Sequence, residues 1–324
     1  VTTWAVTGGA GYIGAHVARR FVETGHDVMV IDDLSTGFVE FVPDEARFVE
    51  KSMHELTATD LDGVDGVVHL AALKYAGVSV DEPLHFYANN VGGNVALLQA
   101  MVDAGVGRLV YSSSCSVYGT PEADQVVEST PWAPESPYGE TKLIGEWLAA
   151  AVGVAHGLRH TSLRYFNVVG SGYDDVYDAS PHNLFPLVFR AVDAGVAPKV
   201  FGTDYPTPDG SCIRDYIHVA DLAEAHVLAA DRLDEGAPLA AAYNIATGTG
   251  ASVLEVIDAV GRHVGRDLAP ELMPRRPGDP ARIVADGSFA SRDLGWSASR
   301  DLDDMVSDAW RSWEATRASR EGGA

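Results

Sequence analysis

Thr7-Gly8-Gly9-Ala10-Gly11-Tyr12-Ile13-Gly14 follows a short apolar run that begins at Thr3 and opens a helical pattern reaching Thr24. Gly9, Gly11 and Gly14 satisfy a GxGxxG pattern, and Gly8, Gly11 and Gly14 satisfy the GxxGxxG spacing. Without side chains the backbone can turn sharply and approach a pyrophosphate, and the start of the helix offers free N–H groups and a positive dipole end. Tyr12 and Ile13 stand at the same junction. Glycine turns are common on their own, so the context decides: a strand before, a helix after, and an acid, Asp32, at the end of the next strand.

An aspartate in that place accepts hydrogen bonds from the adenosine ribose hydroxyls and repels a 2′-phosphate. No Lys or Arg lies between Asp27 and Arg47 to compensate such a phosphate, so NAD is expected rather than NADP.

Outward from this loop, β-branched runs alternate with segments of helical length. Strands are expected at Thr3–Thr7, Asp27–Ile31, Arg47–Glu50, Val67–Ala71, Leu109–Ser112 and Thr161–Tyr165, with helices over Tyr12–Thr24, Asn90–Ala104 and Tyr138–His156. This alternation implies a parallel sheet covered on both faces, a doubly wound α/β fold of Rossmann type. Beyond Asn167 the rhythm breaks at Gly170-Ser171-Gly172, Ser180-Pro181 and Pro206 to Gly210, where secondary structure is expected to be short and irregular. Later helices, Asp221–Leu233, Val253–Val264 and Leu302–Trp313, alternate with short strands at Tyr243–Ala246 and Arg282–Ala285. The expected division is a nucleotide-binding domain over 1–167 and a smaller mixed α/β lobe over 168–324, with segments after 214 packing back onto the first. Residues Arg317 to Ala324 are expected to fray.

Composition bounds the function. The 324 residues carry 46 acidic against 23 basic side chains, a net charge of −23, and a surface of that sign repels nucleic acid and anionic membranes. It reads as a solvated acidic surface or as adaptation to high salt. No apolar run approaches the roughly 20 residues that cross a bilayer, and the start of the chain has no basic and apolar leader pattern, so a cytoplasmic protein is expected. Cys115 and Cys212 form no CxxC, and the scattered histidines have no paired ligand spacing; neither disulfide nor metal is expected.

Tyr138-Gly139-Glu140-Thr141-Lys142 carries the chemistry. Ser136 and Pro137 suit an N-cap and first helical position, which puts Tyr138 and Lys142 one turn apart on one helix face. A tyrosine near its ordinary pKa of about 10 is a poor base at neutral pH, but a neighbouring ammonium and a cationic nicotinamide both favour the phenolate. Lys142 can also hold the nicotinamide ribose. Upstream, Leu109-Val110-Tyr111-Ser112-Ser113-Ser114 reads as a buried strand ending in hydroxyls, and Ser114 is placed beside the substrate hydroxyl as a proton donor or relay.

With these segments the chain resembles the UDP-galactose 4-epimerase family of extended short-chain dehydrogenases along nearly its whole length. The matching stretches are Thr7–Gly14, His69–Lys74, Asn89–Val91, Ser112–Gly119, Ser136–Lys142, Arg164–Asn167, Asn183-Leu184, Phe201-Gly202 with Asp204–Thr207, Arg214–Val219 and Arg275–Asp279. The resemblance implies reversible 4-epimerisation of UDP-galactose and UDP-glucose through a 4-keto sugar, with NAD kept bound throughout. It implies cofactor contacts at Leu70, Ala71, Ala72, Lys74, Asn90 and Phe166, besides Gly8, Gly11, Tyr12, Ile13, Gly14, Asp32, Tyr138 and Lys142. For the UDP-sugar it implies Ser114, Tyr138, Asn167, Asn183, Leu184, Phe201, Arg214, Arg276 and Asp279, the two arginines suiting a diphosphate and Asp279 a ribose hydroxyl. A homodimer through the Asn90–Ala104 and Tyr138–His156 helices is implied in the same way.

Three departures stand out: Ser52 replaces an aspartate that holds the adenine amino group in many relatives, Val168 replaces a common proline, and Ser116 a common threonine. A 4,6-dehydratase would place Asp-Glu after the serine, where this chain has Cys115-Ser116, and an NAD-sensing module would have no need for Ser114, Tyr138 and Lys142 together. Aligning Gly278-Asp279 and Ala285-Asp286 with the family puts Ile283 at a wall beside the sugar, where a tyrosine restricts some relatives to plain hexoses. UDP-glucose and UDP-galactose are then the expected main pair, with measurable turnover of UDP-GlcNAc; UDP-GlcNAc or UDP-pentose epimerases are the alternatives.

Overall fold

The computed structural model describes residues 1–276 and 279–317. Gly278, used above to align the 275–279 stretch, and residues 318–324, part of the expected frayed end, lie outside the described residues.

Strands β1 (Thr3–Thr7), β2 (Asp27–Asp32), β3 (Arg47–Glu50), β4 (Gly66–His69), β5 (Arg108–Ser112) and β6 (Arg159–Tyr165) occupy the expected positions. With Ala242–Ile245 they form one seven-stranded sheet in the order Ala242–Ile245, β6, β5, β4, β1, β2, β3, every pairing parallel. The order reverses between β1 and β4, where sheets of this type leave a crevice beyond the strands' carboxyl ends.

Period-two alternation divides the core. Trp4, Val6, Val30, Val68, Val110 and Leu163 face one side, with Phe21 of the helix Tyr12–Glu23 and Leu222 of the helix Val219–Asp234. Ala5, Met29, Ile31, Val67, Leu109 and Tyr111 face the other, with Leu97 and Met101 of Gly93–Ala104 and Ala149 of Pro137–His156. Because both faces are covered, the inner strands β1, β4 and β5 are buried almost throughout, as parallel sheets require.

Two expectations change. The strand expected at Tyr243–Ala246 runs over Ala242–Ile245 and pairs along Ser162–Tyr165 of β6, so the sheet draws on chain well beyond 167. The region after Asn167 is also not all irregular: Leu184–Ala194 is a regular helix. Gly195 in the left-handed region ends it, and Phe185, Val188, Phe189 and Val192 form its buried face, with Pro186 tolerated in the first turn. That face joins Val256, Ile257 and Val260 of Val253–Val264 and Met305, Val306 and Trp310 of Leu302–Ala315 in a second core. The start of the expected Asn90–Ala104 helix is a π-helical turn, Tyr87–Gly92, before the regular helix Gly93–Ala104.

Candidate active site

A cleft of about 1510 Å³ lies beyond the carboxyl ends of the strands. β1 delivers Gly8, Gly11, Tyr12, Ile13 and Gly14 to it, β2 delivers Asp32, β4 leads into Leu70, Ala71, Ala72 and Lys74, β5 leads to Ser114, and β6 to Phe166 and Asn167.

The glycine loop is built for close approach. Gly8 has φ +70°, and a Cβ there would stand 2.8 Å from the Ala71 nitrogen; one on Gly14 would stand 2.0 Å from the Gly8 carbonyl oxygen. A Cβ on Gly11 would meet only that same oxygen, at 3.3 Å, so this glycine leaves the cleft side of the loop bare. Gly11 caps the first helix without a side-chain hydrogen bond, and no acid stands in its first turn. The free N–H groups and positive dipole end therefore fit a pyrophosphate.

Asp32 is buried, and its carboxylate oxygens accept from the backbone N–H groups of Ala10 at 3.0 Å and Leu34 at 2.9 Å. Burial pushes its carboxyl above the ordinary range, against the pull of these bonds. Each oxygen keeps a lone pair for a ribose hydroxyl. Ser52 also lines the cleft, but its hydroxyl donates to Glu55 Oε2 at 3.0 Å, which commits that side chain to closing the turn Met53–Glu55.

At the centre, Ser136 caps the helix Pro137–His156, accepting from the Gly139 N–H at 3.2 Å. The Tyr138 N–H donates to Ser79 Oγ at 3.1 Å, and Ser79 in turn donates to the Ala76 carbonyl at 2.6 Å. The Tyr138 phenol and Ser114 stand in the same cleft, and the Ser114 hydroxyl donates to Ser116 Oγ and accepts from the Ser116 N–H, each at 3.2 Å. Burial drives the Tyr138 phenol well above its ordinary pKa, the neighbouring Tyr165 phenol adds to the rise, and the nearby Ser114 hydroxyl opposes it. Lys142 is buried too, which lowers its ammonium to about 8 and leaves it charged at neutral pH. Its Nζ donates to the Ser112 carbonyl at 2.8 Å and lies 5.9 Å from the centre of the Tyr138 ring. Two of its protons are left for ligand hydroxyls. A positive charge on that side of the ring favours the phenolate over the phenol.

Asn183, Leu184, Phe201, Arg214, Arg276 and Asp279 line the same cleft. Arg214 is ion-paired with Asp279 through Nη2 and donates from Nη1 to the Ile213 carbonyl at 2.8 Å. The Arg276 guanidinium lies 4.0 Å over the Phe201 ring, leaving its edge donors free to meet an anion. Asn183 donates to Asp178 Oδ2 at 2.7 Å.

Two expected contacts sit elsewhere. Among the described residues that line the cleft, neither Asn90 nor Ile283 is found. Asn90 is buried behind the wall: its Oδ1 accepts from the Leu73 N–H at 2.8 Å, and its Nδ2 donates to the Leu73 carbonyl at 3.0 Å and to Thr141 Oγ1 at 3.1 Å. It ties the Leu70–Lys74 segment to the helix that carries Lys142. Ile283 packs against a cluster that includes Phe166, Val117 and Ala285, so its side chain supports the site from outside.

Conversely, Tyr165, to which no contact was assigned, lines the cleft. Its place at the carboxyl end of β6 was the available signal. Ser79 had none, because its bond to Tyr138 joins distant parts of the chain. Away from the cleft, His26, Asp231 and Asp234 bring ligand-type atoms within 4.8 Å of one another. However, Arg108 Nη1 lies 3.2 Å from Asp234 Oδ1, and Thr2 Oγ1 donates to Oδ2 at 2.7 Å, so a guanidinium takes the place a cation would need.

A model of the NAD dependent epimerase/dehydratase family matches residues 4–246. The chain belongs to that family. It is 44% identical to a UDP-glucose 4-epimerase of Streptomyces lividans over 322 residues, covering 97% of this chain and 96% of that one. The UDP-glucose 4-epimerase structure from Stenotrophomonas maltophila, with bound NAD and formylated UDP-arabinopyranose, superposes with a TM-score of 0.92 at 39% identity, covering 98% of this chain and all of that chain. The Bifidobacterium longum UDP-glucose 4-epimerase, in complex with NAD⁺ and UDP, gives 0.89 at 34% identity over 98% and 99% of the two chains. Family members share the seven-stranded frame, and the glycine loop and Asp32 of this chain fit the NAD for which the family is named. Among the described residues, no helix is long and apolar enough to cross a membrane.

Proposed function

We propose that this chain is an NAD-dependent UDP-glucose 4-epimerase that interconverts UDP-glucose and UDP-galactose. The observation that carries the reading is that Ser114, Tyr138 and Lys142, with the Lys142 ammonium 5.9 Å from the Tyr138 ring centre, share one cleft with a bare glycine loop and the Asp32 carboxylate. When bound, NAD supplies a hydride acceptor and a second positive charge, on its nicotinamide ring. Gly8, Gly11, Tyr12, Ile13, Gly14, Asp32, Leu70, Ala71, Ala72, Lys74 and Phe166 would hold it, with Lys142 on its ribose and Asn90 supporting the wall from behind.

Tyr138 takes the proton of the sugar's 4-hydroxyl, and Ser114 relays it when the hydroxyl approaches from the other side. After the 4-ketose has turned over, Tyr138 returns the proton. Arg214 and Arg276 would grip the diphosphate while the sugar turns, and Asn167, Asn183, Leu184, Phe201 and Asp279 would hold sugar and uridine. Arg214 then exchanges part of its bond to Asp279 for phosphate oxygens, which frees that carboxylate for a ribose hydroxyl.

The sugar lobe of this reading begins near residue 168, and the first 167 residues, joined by the returning 219–234 and 242–245, form the cofactor half. A homodimer fits the apolar side chains left exposed on the outer helices: Leu84, Val95, Trp147 and Val154. Light scattering should then give twice the 34.4 kDa of the chain; a monomeric mass would end that part of the reading. A role in galactose metabolism, in the cytoplasm where NAD and nucleotide sugars are made, follows from the activity.

The deciding experiment assays purified protein for conversion of UDP-galactose to UDP-glucose without added cofactor, then releases and identifies its nucleotide. Turnover with NAD or NADH released is the expected result. No turnover, or mainly NADP, would sink the reading.

A further inference from the structure

We propose that Glu146 is a positioning residue that sets Ser114 against Tyr138, acting through Ser113. The proposal rests on the function above, in which those two hydroxyls handle the proton. Glu146 lies one helical turn beyond Lys142 and is buried. Its Oε1 accepts from Ser113 Oγ at 2.6 Å and from Arg164 Nε at 2.8 Å, and its Oε2 accepts from Arg164 Nη2 at 2.5 Å. Arg164 continues the network, donating from Nη1 to the Tyr118 phenol at 2.8 Å, and Tyr118 donates to Asn244 Oδ1 at 2.7 Å.

One carboxylate therefore joins the three segments that bring reactive groups to the cleft: the helix of Tyr138 and Lys142, the serine turn after β5, and the end of β6 that leads to Phe166. Stability alone is a poor account of this. A buried ion pair is often no more stabilising than apolar side chains of the same volume, because desolvation offsets its attraction. The bidentate pair adds direction, since both oxygens of Glu146 and the plane of Arg164 are fixed. Ser114 has extended backbone angles, so the side chains of Ser113 and Ser114 leave the chain on opposite sides. Tethering the Ser113 hydroxyl to Glu146 thus fixes the turn from which Ser114 enters the cleft that Tyr138 also lines, where its hydroxyl now rests on Ser116.

Two variants separate this from a role in packing. Ser113→Ala keeps the Arg164–Glu146 pair and removes only its tie to the serine turn. Glu146→Gln keeps the shape but leaves a buried guanidinium without its counter-charge, so it should lose thermal stability as well as activity. Steady-state kinetics on UDP-galactose are read alongside the rate at which iodoacetamide alkylates Cys115, measured by mass spectrometry. Cys115 directly follows Ser114 in the turn, and burial pushes its thiol up to about 11.

For Ser113→Ala, kcat should fall about ten- to a hundredfold, the loss expected of a misaligned reacting group, while KM stays within about twofold. Alkylation of Cys115 should quicken several-fold as the turn loosens. A kcat within about twofold of wild type in Ser113→Ala overturns the proposal, as does a loss confined to Glu146→Gln that only follows its lower thermal midpoint. If wild type itself shows no epimerase turnover, the functional reading fails, and an unchanged Cys115 alkylation rate in Ser113→Ala then overturns the positioning separately.

Discussion

Tyr138 shows why a single side chain must be judged with its charges. Burial raises its phenol far from neutrality, so the bare residue is a worse base than free tyrosine. The Lys142 ammonium acts in the opposite sense, and the cationic ring of the cofactor adds a second positive charge when bound. Tyr138→Phe keeps the ring that packs in the site and removes only the hydroxyl. Its expected effect is a fall of about 100- to 10,000-fold in kcat, the usual worth of a general base, with the thermal midpoint nearly unchanged. Turnover within about threefold of wild type would take Tyr138 out of the proton step. Asn90 and Ile283 carry the opposite lesson. Their identities and neighbours in sequence suggested ligand contact, yet each acts from behind the wall, because a position in a motif does not say which side of a strand or helix turn faces the cleft.

Between elements, three buried histidines serve as struts. His16 Nε2 accepts from the Gly172 N–H at 2.9 Å, joining the first helix to the loop after β6. His69 Nδ1 pairs with Thr7 Oγ1 at 2.7 Å across β1 and β4, and His226 Nε2 pairs with Ser112 Oγ at 2.9 Å, joining the helix Val219–Asp234 to β5. Burial lowers His16 and His69 to about 3 and His226 to about 4. Below pH 6.5 the unfolded chain binds protons at these sites and the folded chain does not, so stability rises with pH there. Their contribution is complete above 6.5 and is lost as pH falls toward 3 to 4. Each can cost up to about 1.4 kcal/mol per pH unit. Urea midpoints at pH 7 and pH 5 check this: the acid midpoint should be clearly lower, and replacing His226 by Gln should flatten the difference. Equal midpoints would mean that these rings are protonated in the fold. Elements like the first six strands were legible because each combines β-branched runs with flanking turn residues. Ala242–Ile245 could be seen as a strand but not as a member of the main sheet, since its partner, β6, lies some eighty residues back. That Ser114, Tyr138 and Lys142 meet in one cleft was legible for a similar reason: they lie in short local patterns. Ser79 and Glu146 were not, because their partners are set only by tertiary packing.

At the scale of the whole molecule the charge balance dominates. If each of the 23 basic side chains neutralised one of the 46 acids, 23 negative charges would remain uncompensated. Several basic residues are paired at the surface, Arg19 with Asp175 at 2.7 Å, Arg20 with Glu224 at 2.6 Å, and Arg311 with Asp174 at 2.6 Å among them. Such pairs contribute about 0–1 kcal/mol each and weaken with salt, while the unpaired carboxylates repel one another over many more separations. Salt acts on both, shortening the Debye length from about 10 Å at 0.1 M to about 3 Å at 1 M. The close pairs are weakened too, but each is worth little to begin with, whereas repulsion summed over many separated carboxylates is largely removed. The thermal midpoint should therefore rise by a few degrees between low salt and 1 M KCl. Sodium chloride should act almost equally, since screening depends on ionic strength and not on the identity of the cation. A midpoint that falls with salt would show that the ion pairs outweigh the repulsion, and a rise with KCl alone would point to specific ion binding in place of screening.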